Sequence, residues 1–533
     1  MRAPRRSFVF LVIVLCAIVP PALDAAGMTA PAVNVLNLVW WTDVGFPTPF
    51  AFSTVGPGGV VRLSLIYDTL TWKDAHGLIP WLATSWRVSP DGRTYTFTLH
   101  ADVRWQDGHP LSAGDVRFTF EYYKQHPFRW VSTARVAGIA VRDSRTVSIS
   151  LTEPYAPFLS EIAGIVPVLP AHIWRDIEDP AQAQDPRAAT GSGPFQLAGY
   201  SPATGEYLFR AYPGYFKGKP IVRELRYQVL ATEQQQLLAV QQGRVDAALT
   251  TDYAAAESLR SHPPLQVLQT EPLSIVRLLF NTRRPPFNDH LFRQAIAYAL
   301  PREQLASLVT HGPALVGGAG IIPPGTTWSN PAVKQYPYDP AQAAVLLDRL
   351  GTRMRADGIR RTAAGLPLRV ELLSDSSSPD APLIQQMLRR VGVGVALLPA
   401  DPKTRSELVR EGRFQMVLTA HIGVGGDPDF LRRWFVGEQA NVLALGDTLD
   451  NDEFHRLAAQ QVRTLDAAAR RRMIFRMQEI LADEVPTLPV YYRRFYWIYN
   501  SAKLHPFTTP GGLMDGIPLI ENKLVFLRPQ SQP

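Results

Sequence analysis

The segment from residue 80 to residue 123 constrains the fold of this chain more than any other stretch. Within it, the apolar residues Tyr95, Phe97 and Leu99 alternate with threonines. This period of two predicts a half-buried β-strand. The sequences SPDG and QDG flank the strand as tight turns, because proline presets φ and glycine accepts a positive φ at little steric cost. The segment therefore predicts a twisted antiparallel hairpin, followed by a helix that Ser112 caps.

Three runs within this segment resemble the bacterial extracellular solute-binding proteins of family 5, the peptide-, nickel- and sugar-capturing subunits of ABC importers. They are LATSW at residues 82–86, SPDGRTYTFTL at 89–99 and VRWQDGHPLSAGDV at 103–116. A further block at residues 279–296 is similar to the family signature N-x-x-x-P-P-F-x-D-x-x-V-R-Q-A-I, with Phe292 in place of the usual aliphatic residue. The resemblance covers almost the whole chain after its first thirty residues.

The resemblance implies an α/β fold of two lobes, the periplasmic-binding-protein fold of type II, cluster C-like, with an extra subdomain inserted in the first lobe. Two strands would cross between the lobes, near residues 275–285 and 485–490. The implied domains are a signal peptide at 1–26, a discontinuous first-lobe core at 27–60, 190–280 and 488–533, an inserted subdomain at 61–189, and a second lobe at 281–487. A ligand would lie between the lobes and be enclosed when they close.

The first residues independently predict export from the cytoplasm. Basic residues at positions 2–6 precede an apolar run at 8–19 and a stretch of small residues. That order is typical of a secretory signal peptide, whereas a membrane-spanning helix needs about 20 apolar residues. We expect cleavage at Ala25 or Ala26 and a periplasmic location; the alternative is an anchor that stays uncut.

Cysteine usage argues against both a lipid anchor and disulfide bonds. The single cysteine, Cys16, lies inside the expected signal peptide and follows Leu15, where a lipoprotein needs a small residue. The mature chain would then contain no cysteine, so its fold must depend on its hydrophobic core. A chain of 533 residues with 46% hydrophobic content has enough core for two or more domains.

Charge and motifs exclude several classes of function. The formal net charge of +7 is small and dispersed, and the short arginine clusters at 470–472 and 493–494 are typical of a solvated face, so we expect no nucleic-acid partner. The chain has no H-E-x-x-H or C-x-x-C motif, and residues 191–193 lack the G-x-S-x-G frame of a nucleophile elbow. Pro220 stands where a P-loop needs Ser or Thr. We therefore expect no enzyme, no cofactor and no metal site.

Further elements follow from caps and periodicity. We predict a capping box at 232–235 that opens a helix ending at Gly243, a helix at 340–350, and one long helix at 452–483. We predict an α/β second lobe from a strand at 368–373, a helix at 381–391 and a strand at 393–398. The aromatic run at 491–499 is predicted as a single strand of core packing.

The strongest candidate for a ligand site is the sequence LTAHIGVGGDPDF at residues 418–430. Asp427 and Asp429 precede an apolar run, so they could simply cap a helix. The resemblance instead implies that this G-D-P-D loop borders the cleft. His421 stands where relatives usually have a ligand-stacking Trp, and Val424 stands where peptide-binding members place an Asp for the ligand's amino group. A buried ammonium without a counter-charge is costly, so that mode of peptide binding is in doubt.

The first lobe contributes further candidates by resemblance. The loop around Gly56 would let main chain approach a ligand closely, and one of the two tryptophans that end the first strand should point inward and the other outward. For each candidate the structural alternative is core packing or an ordinary turn. The candidate ligand-binding residues are Trp40, Trp41, Ser53, Thr54, Gly56, Ser192, His421, Asp427 and Asp429.

The sequence as a whole predicts a monomeric extracytoplasmic protein that captures a ligand between two lobes and delivers it to the permease subunits of an ABC importer. A peptide is the expected ligand. The alternatives are a sugar, an opine-like compound or a metal chelate, and a secreted hydrolase on the same scaffold. A chaperone-like or sensor protein that needs no transporter is a further alternative.

Overall fold

The computed structural model describes residues 33–51, 57–128, 130–313, 315–436, 449–513 and 521–527. The expected signal peptide and the candidate residues Ser53, Thr54 and Gly56 lie outside the described residues. No helix within the described ranges combines the length and the apolar character that crossing a bilayer requires. Strands and helices are interspersed along the chain, which confirms the α/β prediction.

Twenty strands lie within the described residues. In chain order they are β1 (Val33–Trp40), β2 (Thr71–Asp74), β3 (Gly77–Pro80), β4 (Ala83–Val88), β5 (Thr94–Leu99), β6 (Val136–Val141), β7 (Thr146–Leu151), β8 (Phe195–Ser201), β9 (Glu206–Ala211), β10 (Val222–Val229), β11 (Ala247–Thr250), β12 (Leu265–Gln269), β13 (Ser274–Phe280), β14 (Arg353–Met354), β15 (Arg360–Arg361), β16 (Arg369–Asp375), β17 (Gly394–Ala400), β18 (Met416–Ile422), β19 (Thr487–Arg493) and β20 (Tyr496–Asn500).

The same ranges contain thirteen α-helices. They are α1 (Pro57–Ile66), α2 (Ala113–Gln125), α3 (Ala171–Trp174), α4 (Glu233–Gln241), α5 (Tyr253–Leu259), α6 (His290–Ala299), α7 (Arg302–Thr310), α8 (Pro340–Arg349), α9 (Asp380–Arg389), α10 (Pro402–Arg410), α11 (Phe430–Phe435), α12 (Asp452–Gln461) and α13 (Ala467–Glu484).

Two of the three larger sheets mix parallel and antiparallel pairs. One sheet has the order β1-β10-β9-β8, with β1 parallel to β10, and another has the order β4-β5-β7-β6 with antiparallel pairs throughout. A third, in the order β17-β16-β18-β13-β19, is parallel from β17 to β18 and antiparallel beyond. The small antiparallel sheet β11-β20-β12 joins two strands that precede β13 to one that follows β19.

Local sequence signals gave the correct elements in residues 80–123. The strand β5 alternates between half-buried threonines and buried apolar residues, as its period of two predicted. Gly92 and Gly108 have φ values of +69° and +93°, which the two predicted turns require. Ser112 accepts a hydrogen bond from the start of α2 and forms a capping box with Asp115. Short-range stereochemistry therefore decides the structure here.

One predicted helix is wrong. Residues 452–483 form two helices rather than one, because α12 ends at Gln461 and α13 begins only after residue 466. Asp466 caps the new helix by accepting a hydrogen bond from Ala469 N at 2.7 Å. The carbonyl oxygen of Val462 turns away and accepts a hydrogen bond from Ala156 N at 2.7 Å. The break between the two helices therefore frees a backbone carbonyl for a hydrogen bond to a distant part of the chain.

The predicted strand at 491–499 is also wrong as a single element. The strand β19 ends at Arg493 and β20 begins at Tyr496, and the two belong to different sheets. The chain passes from one sheet to the other between them. An aromatic pattern alone cannot show such a change of sheet, since both strands are equally apolar.

Buried side chains form two main cores, which define the two lobes used below. The first-lobe core draws on residues 36–249 and 495–527, together with Val462. The second-lobe core draws on residues 276–491, with an adjoining cluster at residues 275–492. Two passages of the chain connect the lobes, residues 270–274 and 493–496.

The two passages are hydrogen-bonded to each other. Thr270 N donates to Phe495 O at 2.9 Å, and Phe495 N donates to the Thr270 hydroxyl at 3.2 Å. On one side of this point β12 pairs with β20, and on the other side β13 pairs with β19. The crossing is thus a two-stranded ribbon. It lies a few residues outside the positions near 275–285 and 485–490 that the resemblance implied, which fall in the second-lobe core.

Candidate functional site

A cavity of about 260 Å³ lies between the two lobes. The first lobe and the crossing contribute Lys73, Ser160, Glu271 and Gly511 to its wall. The second lobe contributes residues 325–328 and 425–427, the latter from the predicted G-D-P-D loop. Clefts at domain interfaces are favoured places for small-molecule sites. This cavity is therefore the candidate ligand site.

The cavity wall carries one basic and one acidic side chain on its first-lobe side. Lys73 Nζ donates to the Gly512 carbonyl oxygen at 3.4 Å, and Glu271 Oε2 accepts from Gly511 N at 2.9 Å. Both contacts hold the same C-terminal segment, so the two charges are fixed relative to each other. The wall can therefore bind an ammonium and a carboxylate of one ligand.

Contacts across the cleft show that the lobes are closed. The Arg463 guanidinium lies 2.6 Å from the Glu153 carboxylate, and Glu153 also pairs with Arg135 of its own lobe. The backbone bond from Ala156 N to Val462 O lies beside this ion pair. These contacts join the loop after β7 to the break between α12 and α13.

Two glycine contacts allow this close approach. A Cβ added at Gly511 would lie 3.0 Å from the Gly425 carbonyl oxygen, and one added at Gly92 would lie 2.6 Å from Leu465 Cδ1. Both glycines have positive φ values, at +68° and +69°. Backbone therefore meets backbone or a side-chain tip at these points, and larger residues would hold the lobes apart.

Asp427 lines the cavity but is bound to an arginine of its own lobe. Its two carboxylate oxygens accept from the Arg470 guanidinium at 2.5 and 2.8 Å. Burial alone would lower the pKa of Arg470, but the bond to Asp427 raises it above its usual value. The same guanidinium lies 5.3 Å from the ring centre of Trp328, which also lines the cavity. Through Arg470, Asp427 thus helps to hold this part of the cavity wall, including Trp328, in place.

Asp429 belongs to the same network and does not reach the cavity wall. It stands at the N-cap of α11, but its side chain makes no capping bond, so the capping alternative is wrong for this residue. Its carboxylate binds the Arg432 guanidinium at 2.6 and 2.7 Å and accepts from Gln461 Nε2 at 2.8 Å. Gln461 in turn accepts from Arg470 Nε at 3.0 Å. The network ties the G-D-P-D loop to α12 and α13.

His421 lies near the end of β18, opposite Ile275 of β13. Its ring packs on Trp434 with centroids 4.9 Å apart, and its Nε2 is buried without a hydrogen-bond partner among the described residues. Burial, followed by the positive charge of Arg277, lowers the pKa of His421 well below its usual value. The imidazole is therefore neutral at physiological pH.

Arg277 is a buried cation beside His421 that the sequence did not lead us to expect. It is 0% exposed in the middle of β13, and its guanidinium carbon lies 4.0 Å from the ring centre of Trp434. Within the described residues its guanidinium makes one weak hydrogen bond, at 3.5 Å to the Thr487 hydroxyl. Its Nε and one terminal nitrogen have no hydrogen-bond partner there. Burial lowers its pKa to about 9. The sequence did contain a signal for this residue, because Arg277 is a lone arginine in the apolar run at 274–280.

Val424 is fully buried in the cluster that adjoins the second-lobe core. The next residue, Gly425, has no room for a side chain, since an added Cβ would lie 1.9 Å from Leu273 Cδ2. Val424 therefore contributes to core packing. Among the described wall residues of the first lobe and the crossing, Glu271 is the carboxylate that faces the cavity.

The first-lobe candidates lie mostly in the core. Trp40 is 4% exposed, and the partly buried Trp41 packs edge-on against it with centroids 4.5 Å apart. Ser192 is 1% exposed and donates to Asp68 at 3.1 Å. The structure does not bring these residues to the cavity wall, where Asp427 is the sole predicted candidate among the described residues. Their role in ligand binding stays a prediction.

Asp68 is the centre of a fully buried ionic cluster. Its carboxylate binds Lys523 Nζ at 2.5 Å and also accepts from Trp81 Nε1 at 2.6 Å and the Tyr215 hydroxyl at 3.0 Å. Burial lowers the pKa of Lys523, although the Asp68 charge opposes that shift. This cluster joins the start of the first lobe to the last described residues of the chain.

A second buried pair of charges lies nearby. Arg62 stacks over Tyr227, with its guanidinium carbon 4.2 Å from the ring centre, and also over Trp40 at 5.2 Å. Glu521 is 3% exposed, and burial raises its pKa to about 7 even though the Arg62 charge acts in the opposite direction. Trp40 is therefore part of this buried cluster of charges and aromatic rings.

Comparisons with known proteins agree with the geometry. The sequence model of the family described as "Bacterial extracellular solute-binding proteins, family 5 Middle" matches residues 77–442. The nickel-binding periplasmic protein of Escherichia coli is 27% identical over 484 residues, which cover 87% of this chain and 90% of that protein. Di/tripeptide-binding protein 1 of Pseudomonas aeruginosa is 26% identical over 525 residues, covering 91% and 94%.

A solved structure shows the same fold. NikA from Brucella suis in complex with Fe(III)-EDTA superposes with a TM-score of 0.80 at 25% sequence identity, covering 91% of this chain and 99% of that one. The similarity thus extends over both lobes and the cleft between them.

Proposed function

This chain belongs to the bacterial extracellular solute-binding proteins of family 5, and from that premise we propose that it captures a short peptide between its lobes. It then presents the closed, loaded form to the permease subunits of an ABC importer outside the cytoplasm. Its relatives are binding proteins of peptides and of nickel, and a binding role rather than catalysis follows from that kinship. The domain boundaries, export signal and monomeric state predicted from the sequence belong to the same proposal.

The observation that carries the peptide proposal is the pair Lys73 and Glu271 on the wall of one cavity. A short peptide is a zwitterion, so its carboxylate can bind Lys73 while its ammonium binds Glu271. Charge-assisted hydrogen bonds of this kind are stronger than neutral ones. Glu271 thereby supplies the counter-charge that Val424 does not.

The rest of the wall suits a peptide main chain. Gly425, Gly426 and Gly511 line the wall with backbone rather than side chains, and Thr326 lies beside them. Backbone groups bind a peptide without selecting its side chains. The cavity volume of about 260 Å³ lies near the small end of ligand sites, which favours a di- or tripeptide.

Ligand and lobe closure are coupled. A ligand that touches Lys73 on one lobe and Trp328 on the other binds only the closed form fully, so it shifts the population toward that form. The permease can then distinguish loaded from empty protein by shape.

Native mass spectrometry of the purified protein, before and after unfolding and refolding, tests the ligand class. We expect a co-purified mass of a short peptide that disappears on refolding. A bound sugar, opine-like compound or metal chelate would contradict the peptide proposal while leaving the binding function intact. Refolded protein that binds no member of a dipeptide library in calorimetry would also contradict it.

The role of Glu271 has its own test. Replacing Glu271 with Gln should weaken peptide binding about tenfold or more, because the ligand ammonium loses its counter-charge. Glu407→Gln, at an exposed site on α10, is the matched control and should bind as the parent does. Equal affinity of E271Q and E407Q would place the ammonium elsewhere.

A further inference from the structure

A cluster of two histidines and one aspartate lies away from the cleft. Asp107 and His109 belong to the turn before α2, and His172 belongs to α3. The donor atoms of the three side chains all lie within 4.8 Å of one another. None of the three lines the cavity between the lobes. The cluster therefore needs its own explanation.

The three side chains already converge. Asp107 binds His172 Nε2 at 2.7 Å through one oxygen and lies 3.2 Å from His109 Nδ1 through the other. The two imidazole rings stack with centroids 4.3 Å apart. A tetrahedral metal ion with bonds of about 2.0–2.2 Å to nitrogen and oxygen holds its donors roughly 3.3–3.6 Å apart. The two contacts with Asp107 would therefore lengthen slightly on binding, which small side-chain rotations provide.

The backbone that carries these side chains is held in place. Trp105, at the start of the turn, is 0% exposed, and its main-chain N donates to His109 O at 2.8 Å. The Gln106 side chain fixes the turn further, donating to Phe195 O at 2.7 Å and accepting from Gly191 N at 3.1 Å. Trp174, two residues after His172, is also 0% exposed. Preorganised donors lose little freedom when an ion binds.

One positive charge lies beside the cluster. Arg104, whose guanidinium donates to Gly108 O at 2.9 Å, is the neighbouring positive charge that an incoming cation would meet. It lowers the affinity but donates away from the three side chains.

We propose that Asp107, His109 and His172 bind a divalent transition-metal cation, Zn²⁺ in the first place. Two imidazoles and one carboxylate are a donor set that suits Zn²⁺, Ni²⁺ and Cu²⁺ rather than Ca²⁺ or Mg²⁺. Three protein donors at a surface leave a position for water. The bound ion would join the turn before α2 to α3 and so stabilise the region that carries β4 to β7. This proposal does not depend on the ligand of the cleft.

Calorimetric titration of the mature, tag-free protein with ZnCl₂ in a weakly coordinating buffer tests this site. We expect saturable binding of one ion per chain, and a loss of affinity of at least about tenfold in His109→Asn and in His172→Asn. His76→Asn, at an exposed histidine in the β2–β3 turn, is the matched control and should change nothing. His421→Asn separates the cleft from this site, and it too should retain the binding.

Two further measurements distinguish loss of the metal site from misfolding of the variants. Circular dichroism should show that H109N and H172N keep the parent fold, and the electron paramagnetic resonance spectrum of bound Cu²⁺ should show coupling to two imidazole nitrogens in the parent. Absence of saturable Zn²⁺ binding would overturn the proposal. Binding that survives both H109N and H172N, or that disappears in H76N or H421N, would overturn it as well.

Discussion

Lys523 in the first lobe and Arg277 in the second are both 0% exposed, yet their surroundings differ. Lys523 meets the Asp68 carboxylate, which three further donors also bind. Arg277 meets the face of Trp434 and one distant hydroxyl, and no carboxylate among the described residues pairs with it. The comparison teaches that a buried cation stabilises a fold through its partner, and that an unpartnered one is a cost to the fold.

The largest expected effect comes from breaking the paired cation. Lys523→Met leaves Asp68 as a buried charge without a counter-ion, so the free energy of unfolding of the first lobe should fall by about 3–5 kcal/mol. Urea denaturation followed by tryptophan fluorescence measures this. Lys403→Met, at an exposed site at the start of α10, is the control and should lie within about 0.5 kcal/mol of the parent. A K523M protein as stable as K403M would remove the basis of the comparison.

A pH-dependent effect sharpens the comparison with a buried acid. Burial raises the pKa of Glu521 from 4.5 to about 7, so the folded state binds more protons than the unfolded state between these values. Stability from this group is complete below pH 4.5 and is lost as the pH rises through 7. Glu521→Gln should therefore stabilise the protein at pH 8, by an amount on the order of 2–3 kcal/mol, and have little effect at pH 4.5.

The measurement for Glu521 is the urea midpoint of the parent and the variant across this pH range. Glu407→Gln serves again as the exposed control, with no such pH dependence expected. Parallel curves for the parent and E521Q would contradict the buried, protonated state of this side chain.

The unpartnered cation should behave in the opposite way to the paired one. Arg277→Met removes a buried charge that has no counter-ion to abandon, and Met can keep the contact with Trp434. We expect the free energy of unfolding of the second lobe to change by less than about 1 kcal/mol or to rise. The same urea titration measures it. A loss as large as that of K523M would mean that Arg277 is paired in solution, and the contrast between the lobes would fail.

The smallest expected effect lies where the lobes touch. Arg463 is 56% exposed, and exposed ion pairs contribute about 0.2–1 kcal/mol, so Arg463→Ala should change the ratio of closed to open protein by less than about fivefold. Energy transfer between dyes on the two lobes measures this ratio, and 0.5 M salt should reduce the difference. Arg413→Ala, which breaks a surface pair within the second lobe, should leave the ratio unchanged. A tenfold shift in R463A would make this pair the main closure contact.

Local signals in the sequence were sufficient where neighbouring residues decide the structure. The cap at Ser112 and the capping box at Thr232 were predicted because cap and helix lie within four residues. The break before Asp466 was missed because the apolar stripe continues across it. Asp466 itself was a usable signal, since it is a good N-cap residue in the middle of the predicted helix.

The candidate site could be predicted only in outline. The G-D-P-D loop does reach the cavity through Asp427, but its partner Arg470 lies 43 residues away. Asp68 and Lys523 are separated by 455 residues, and no periodicity relates them. In the sequence, Glu271 resembles an ordinary surface acid. The fold of the crossing is what places it on the cavity wall. Chemistry that depends on such distant pairs is decided by tertiary structure alone.

The two passages between the lobes, bonded to each other at Thr270 and Phe495, determine how the molecule can move. A single strand would leave the lobes free to rotate about three axes. A ribbon of two bonded strands bends across its flat face but resists twisting and shear, because both motions would break the bonds between its strands. We expect lobe motion to be close to one angular coordinate. The lobes then open and close along one path, so each closure brings the same two walls of the cavity together around a ligand.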